Sequence, residues 1–484
     1  MVLRMALRKV TRPITCDKIR PEQSIELHAA FEPAGTERMH AHDQLKPILA
    51  WAFDDAVAAR PVNNAKARLL LLDTIGCLLA GLEAAPVRAL AALHGGTSPG
   101  PIRLPGCAPV SVEAATEIGG TAIVWDEACE GLARAHGRPG IAVIAAALPL
   151  ALARDQSLAE LLSAVVAGYE IGGRMGAWLR IRPGMHVDAG WPALGAAAGV
   201  ARLLGLDAAR ALNAIEIAAC QVPFGLYAPV KAGANGRNTY IAHAALLGGL
   251  AARSAAAGAD APTDGLAEYA RIALGLDATS VELVPAELPL ILEGYLKPYP
   301  SVRHAHYGTA AALALRPRIA DRLEAITTIE LACYAEAITY ASNPAPATPL
   351  AAQFSLSFGV AAALRFGALT PEVYRPERFH DPMLRRLESR VHVVCDAERT
   401  ARGVRGATLT VRTATVEHVA AVDHVRGDPS DPMSAEECCA KFATYAEPRV
   451  SAATAQRFAH ALLTAPAATK MRDLWQDLGD PNAA

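Results

Sequence analysis

Residues 67–83, ARLLLLDTIGCLLAGLE, are apolar on nearly every side of a helical wheel. Only a helix enclosed by other helices tolerates that pattern. The run IAVIAAALPLALA (141–153) repeats it over 13 residues, too few for a bilayer span of about 20. These two stretches predict a large helical core. Its material is unusual: 52% of residues are hydrophobic but only 5% aromatic, so alanine and leucine must fill the interior. Glycine and alanine on the helix faces predict close backbone approach. Asp73, in the middle of the first run, must find a partner, since an unpaired buried carboxylate is costly.

The helical pattern begins near Leu45. It continues through 140–157, 158–180 and ALGAAAGVARLLG, which Gly205 stops. Asp207 then caps AARALNAIEIAACQ. After about Ala278 the texture changes. VELVPAELPLILEGYL, TTIELACYAEAITYA, SRVHVVCDAE and RGATLTVRTATVEHVAAV are richer in β-branched residues and read as strands. TPLAAQFSLSFGVAAALRFG between them reads as helix. Past Pro432 the helical pattern returns, with Ser434 and Glu437 spaced as a capping box. The expectation is a mainly α protein: an N-terminal extension over 1–43, expected to be flexible, a helical domain over 44–278, a smaller α+β domain over 279–428, and a C-terminal return to the helical domain over 429–484.

Lys and Arg number 46 against 48 Asp and Glu, a formal charge of -2, which does not point to nucleic acid or an anionic membrane. The nine cysteines show no metal or redox spacing, so reduced thiols and a cytoplasmic location are expected. The first twenty residues carry six basic groups without the apolar run of a secretory signal.

Four segments gather polar groups where Ala-rich helices begin. WDEACEGLARAHGRPGI holds Asp126, Glu127, Glu130, His136 and Arg138. PGMHVDAGW holds His186 and Asp188. YAPVKAGANGRNTYIAHAA holds Lys231 and Arg237. LKPYPSVRHAHYG holds Lys297, Tyr299, Arg303, His304 and His306. Helix N-termini and arginine forks favour bound carboxylates, and histidines near neutral pH can move a proton. His304 and His306, two apart, cannot share a helix face, and no third ligand stands nearby, so no metal site is expected. No nucleophile elbow appears.

In this order, LLDTIGCLLAG, GGTAIVWDE…GRPGIAVIAAALPLA, GYEIGGRMG, GMHVDAGWPALG, GANGRNTYIAHAA, LKPYPSVRHAH and DPSDPMSAEECCAKFA resemble the MmgE/PrpD family, over about residues 45–477. The resemblance implies a large helical domain built from both ends of the chain, an inserted α+β lid, a homodimer, no cofactor and no metal. It implies acid/base chemistry on a small di- or tricarboxylate, of the 2-methylcitrate dehydratase type. Isomerisation or epimerisation, decarboxylation, and carboxylate binding without catalysis are the alternatives. His186 matches the family's active-site histidine and Tyr299 the tyrosine of the KPYP loop. Asp126, Glu130 or His136 would partner His186, while Arg138, Lys231, Arg237, Lys297, Arg303 and His304 would hold substrate. Members usually carry His-Pro where this chain has Arg138-Pro139. Many carry lysine where it has Arg237, a permanent cation that cannot shuttle protons.

Overall fold

The computed structural model describes residues 40–278 and 281–479. The extension expected over 1–43 lies outside the described residues as far as position 39. Its last residues belong to the fold, because a helix already runs over Ala41–Ala52 and buries Leu45 and Leu49.

The protein is mainly α-helical. Pro61–Gly81 starts with proline at its first position and is buried on nearly every side, as its composition demands. Val112–Ile123, Pro139–Ala153 and Leu158–Trp178 pack against it, and Pro192–Leu203 and Tyr240–Ala256 pack on those helices in turn. Small residues set their spacing. A Cβ on Gly195 would lie 2.8 Å from the Gly168 carbonyl oxygen and 3.0 Å from the Gly172 Cα, so two helix backbones touch where any side chain would wedge them apart. Gly205 takes φ +75° after Pro192–Leu203, and Asp207 accepts from the Arg210 amide at 2.8 Å. Both signals act as the sequence predicts.

The C-terminal helices Ala435–Ala446 and Ala452–Thr464 return to this core, stacking Phe442 on Phe458. The Ser434–Glu437 capping box opens the first of them. Its Lys441 supplies the partner Asp73 requires, at 2.6 Å, and also donates to the Ala128 carbonyl. One ammonium thereby ties the two ends of the chain to the loop beginning at Trp125.

Strands β1 (Met185–His186) and β2 (Gly225–Leu226) form a two-residue antiparallel ladder beside the helical core. A second core holds the main sheet: β3 (Ile326–Cys333), β4 (Val391–Cys395), β5 (Ala407–Thr413) and β6 (Glu417–Val422), in the order β4-β3-β5-β6. β3 runs parallel to β4 and antiparallel to β5, which is antiparallel to β6. Ile329, Leu331, Leu409 and Val411 face the helices Arg303–Ile319 and Leu356–Phe366.

Two strand expectations fail. Residues 281–296 form no strand and pack in the first core, through Val281, Leu283, Leu290, Ile291 and Leu296. The chain therefore leaves that core after Leu296 rather than at residue 279. The cause is a buried ion pair on Leu158–Trp178. Arg174 donates to the carbonyls of Val284, Pro285 and Leu288. Glu170 accepts the amides of Leu290 and Ile291, both at 2.9 Å. With the carbonyls of Val284, Pro285 and Leu288 and the amides of Leu290 and Ile291 taken by side chains, this stretch is held out of a ladder. In the other case, TTIELACYAEAITYA is strand only to Cys333, and Ala335–Ala341 is helix.

Among the described residues no single helix is long and apolar enough to cross a membrane.

Candidate active site

A cavity of about 260 Å³ lies between the two cores. The helical core contributes the loop before Pro139–Ala153, β1 with the turn after it, and Arg237. The second core contributes Arg303 and His304 at the start of Arg303–Ile319, Glu336 and Tyr340 from Ala335–Ala341, and Arg405. The cavity reaches the surface at His136, Arg180 and Tyr340.

At its deep end stands Glu127. Its backbone is left-handed, φ +52°, a conformation that costs a non-glycine residue about 1 kcal/mol. Tertiary bonds offset that cost. Lys297 Nζ donates to the Glu127 carbonyl at 3.0 Å and to Oε1 at 2.7 Å. Arg237 Nη2 and Arg138 Nη1 donate to Oε2 at 2.7 and 3.1 Å. Just downstream, Gly131 and Tyr295 exchange backbone hydrogen bonds of 3.0 and 2.8 Å, which fixes the loop to the KPYP segment. Asp188 is the second carboxylate of the cluster. Its Oδ2 bonds Arg138 and lies 3.2 Å from Arg237, while its buried Oδ1 meets no protein donor. Burial alone would raise both acids. The cations override it: Arg138, Arg237 and Lys297 hold Glu127 well below the usual carboxylate range, and Arg138 leads the groups that lower Asp188.

His186 is buried at the wall, and burial pushes its pKa down to about 4, so the ring is neutral at pH 7. Its Nδ1 faces the Asp188 amide at 3.2 Å and its Nε2 the Arg237 Nε at 3.3 Å. A neutral imidazole has one lone pair, so it accepts only one of these two donors and its other nitrogen carries an N–H. His304 lies across the cavity on the second core. It is also pushed by burial to about 4, bonds Tyr334 through Nδ1 at 2.6 Å and stacks on Tyr340. Arg303 lies over the rings of Tyr295 and Tyr307 and is ion-paired to Asp428. His306 turns away: Nδ1 faces Arg303 and Nε2 the Ser301 carbonyl, so it orients the arginine outside the cavity.

Of the residues expected at the site, His136, Arg138, His186, Arg237, Lys297, Arg303 and His304 line one cavity. Four do not. Glu130 accepts the Gly140 amide at 2.7 Å and caps the buried helix; burial raises it to about 7. Asp126 points out of the cavity, with burial raising it to about 6 and Arg375 acting against that. Tyr299 packs edge-on against His306, and Tyr295 lines the cavity in its place. Lys231 is exposed to solvent outside the cavity. The sequence reading also missed the roles of Glu127 and Asp188, although both stand in the polar segments. Glu336 and Arg405, paired at 3.3 Å, carry no local signal because they join the site only through the second core. Among the described residues no group of three or more His, Cys, Asp or Glu side chains could hold a metal ion.

Fold and site define a mainly helical protein with a cation-rich, histidine-walled cavity between two cores. The MmgE/PrpD N-terminal domain matches residues 55–274 and the MmgE/PrpD C-terminal domain residues 299–465. The chain belongs to the MmgE/PrpD family, which includes lyases and related enzymes. No curated protein matches it significantly.

Proposed function

We propose that the chain is a metal-independent acid/base lyase of the 2-methylcitrate dehydratase type, acting on a small di- or tricarboxylate. The observation carrying this reading is a neutral histidine, His186, at the wall of a cavity whose cations can receive carboxylates. Substrate displaces the Arg237 contact, and His186, holding its own proton on Nδ1 beside the Asp188 carboxylate, uses the Nε2 lone pair to take the proton beside a substrate carboxylate. The C–H electron pair becomes the new C=C bond as the C–O bond breaks. Negative charge gathering on the carboxylate is stabilised by Arg138, Arg237 and Lys297. Tyr295, which burial raises to about 12, stays protonated and can protonate the leaving hydroxide as water. The second core serves as the lid. The protein works in the cytoplasm as a homodimer, and the dimer reading is supported by Phe224 and Leu226, which stand 59% and 57% exposed.

Proton NMR of the full chain with 2-methylcitrate, citrate and malate tests the reading. New alkene resonances are expected. Binding of all three with no conversion of any would overturn it in favour of a carboxylate-binding protein.

An isomerase or epimerase is the second reading. It is favoured by His304, a second neutral imidazole facing the same cavity from the other core. Deuterium entry from solvent without loss of water identifies it.

A further inference from the structure

The cavity's charges are distributed in a way that limits its occupant. At the deep end three cations, Arg138, Arg237 and Lys297, face two resident carboxylates, Glu127 and Asp188. One positive charge is left over. In the middle, Arg303 is neutralised by Asp428. At the outer end Arg180 and Arg405 share one carboxylate, Glu336, which pairs with Arg405 at 3.3 Å and is the acid acting on Arg180. Again one positive charge is left over. With the histidines neutral, each end of the cavity can receive one more carboxylate.

We infer that this cavity is built for a substrate carrying two carboxylates, one at each end, and that Glu127 and Glu336 exclude a third by occupying the cations that would bind it. This rests on the polycarboxylate reading above and narrows it from di- or tricarboxylate to dicarboxylate. A trianion would leave one buried negative charge without a partner, which low-dielectric surroundings penalise. Glu127 is thus a specificity-determining residue in its own right. It holds the place of a substrate carboxylate among three donors, and the same groups that lower it would otherwise bind the ligand.

Isothermal titration calorimetry on the full chain tests this with succinate, glutarate, adipate and tricarballylate. Tricarballylate is glutarate with one added carboxylate. At about pH 8 all four acids are ionised. The best of the three dianions is expected to bind wild type at least about tenfold tighter than tricarballylate, a difference near one decade in Kd. Glu127→Gln and Glu336→Gln each remove one resident charge. Glu127→Gln should shift the dianion-to-tricarballylate ratio by about fivefold or more towards tricarballylate, as a charge added to a poorly screened site does, and Glu336→Gln, at the better solvated outer end, by about twofold or more in the same direction. Glu336 is half-exposed, so its variant remains informative if Glu127→Gln fails to fold. Tricarballylate binding wild type as tightly as the best dianion, or a ratio unmoved in the folded variants, overturns the inference and leaves the polycarboxylate reading standing. If none of the four acids binds wild type or either variant, both fall together.

Discussion

Glu170 with Arg174, and Glu127 with Asp188 and their three cations, are both sets of charged groups taken out of water, and they are completed differently. In the first, each charge is spent on the protein itself: Arg174 on three carbonyls of 284–288 and on Glu170, Glu170 on two amides of 290–291. Neither residue lines the cavity. In the second, the same residue types line the cavity, and capacity remains: Asp188 Oδ1 has no donor, and one of the two donors facing His186 is not accepted by it. Burial of charge alone therefore does not distinguish a staple from a site. Unspent hydrogen-bonding capacity facing a cavity does.

Removing one partner of the staple should show the largest effect. Arg174→Met strands the Glu170 carboxylate and releases the 284–288 carbonyls, and the loss expected is about 3–5 kcal/mol, read from urea unfolding. A loss under about 1 kcal/mol would place the pair among ordinary surface bridges. His186→Ala should do the reverse: turnover falls by about 10²–10⁴ while the unfolding midpoint stays near wild type. Near-normal turnover would remove His186 from the chemistry and direct attention to His304.

Glu127 adds a pH signature. Its folded pKa is depressed below the ordinary value of 4.5. Its ionised form therefore adds stability above that value, and the contribution is lost as pH falls through the depressed one. The stability difference between wild type and Glu127→Gln should be present at about pH 6 and close as pH drops below about 4. A difference that persists at low pH would mean that Glu127 contributes packing rather than charge.

The same contrast explains what the sequence could show. Helices apolar all round, the Gly205 stop, the Asp207 cap and the Ser434 capping box are local patterns, and all appear. The segment 281–296 misleads because its β-branched texture is overridden by a side-chain pair more than a hundred residues earlier. The loop from Trp125 is legible as a polar cluster but not residue by residue. Asp126, Glu127 and Glu130 are chemically alike, and the left-handed turn at Glu127 decides which one faces the cations. Lys231 and Tyr299 sit in the right segments and on the wrong sides of them. Glu336 and Arg405 depend on the register of the second core, which no local pattern encodes.

The outer end of the cavity gives the smallest expected effect on stability. His136 and Glu336 lie 3.8 Å apart with side chains 51% and 34% exposed, and Arg405 meets the same carboxylate from a position 26% exposed. Water already solvates these groups in the folded state, so little is gained by pairing them. Glu336→Gln should change unfolding free energy by less than about 1 kcal/mol, and the difference should shrink further in high salt. A loss above about 2 kcal/mol, insensitive to salt, would put Glu336 with Glu170 as a staple between the cores. The outer end would then be scaffold, and only the deep cluster would remain free to choose a ligand.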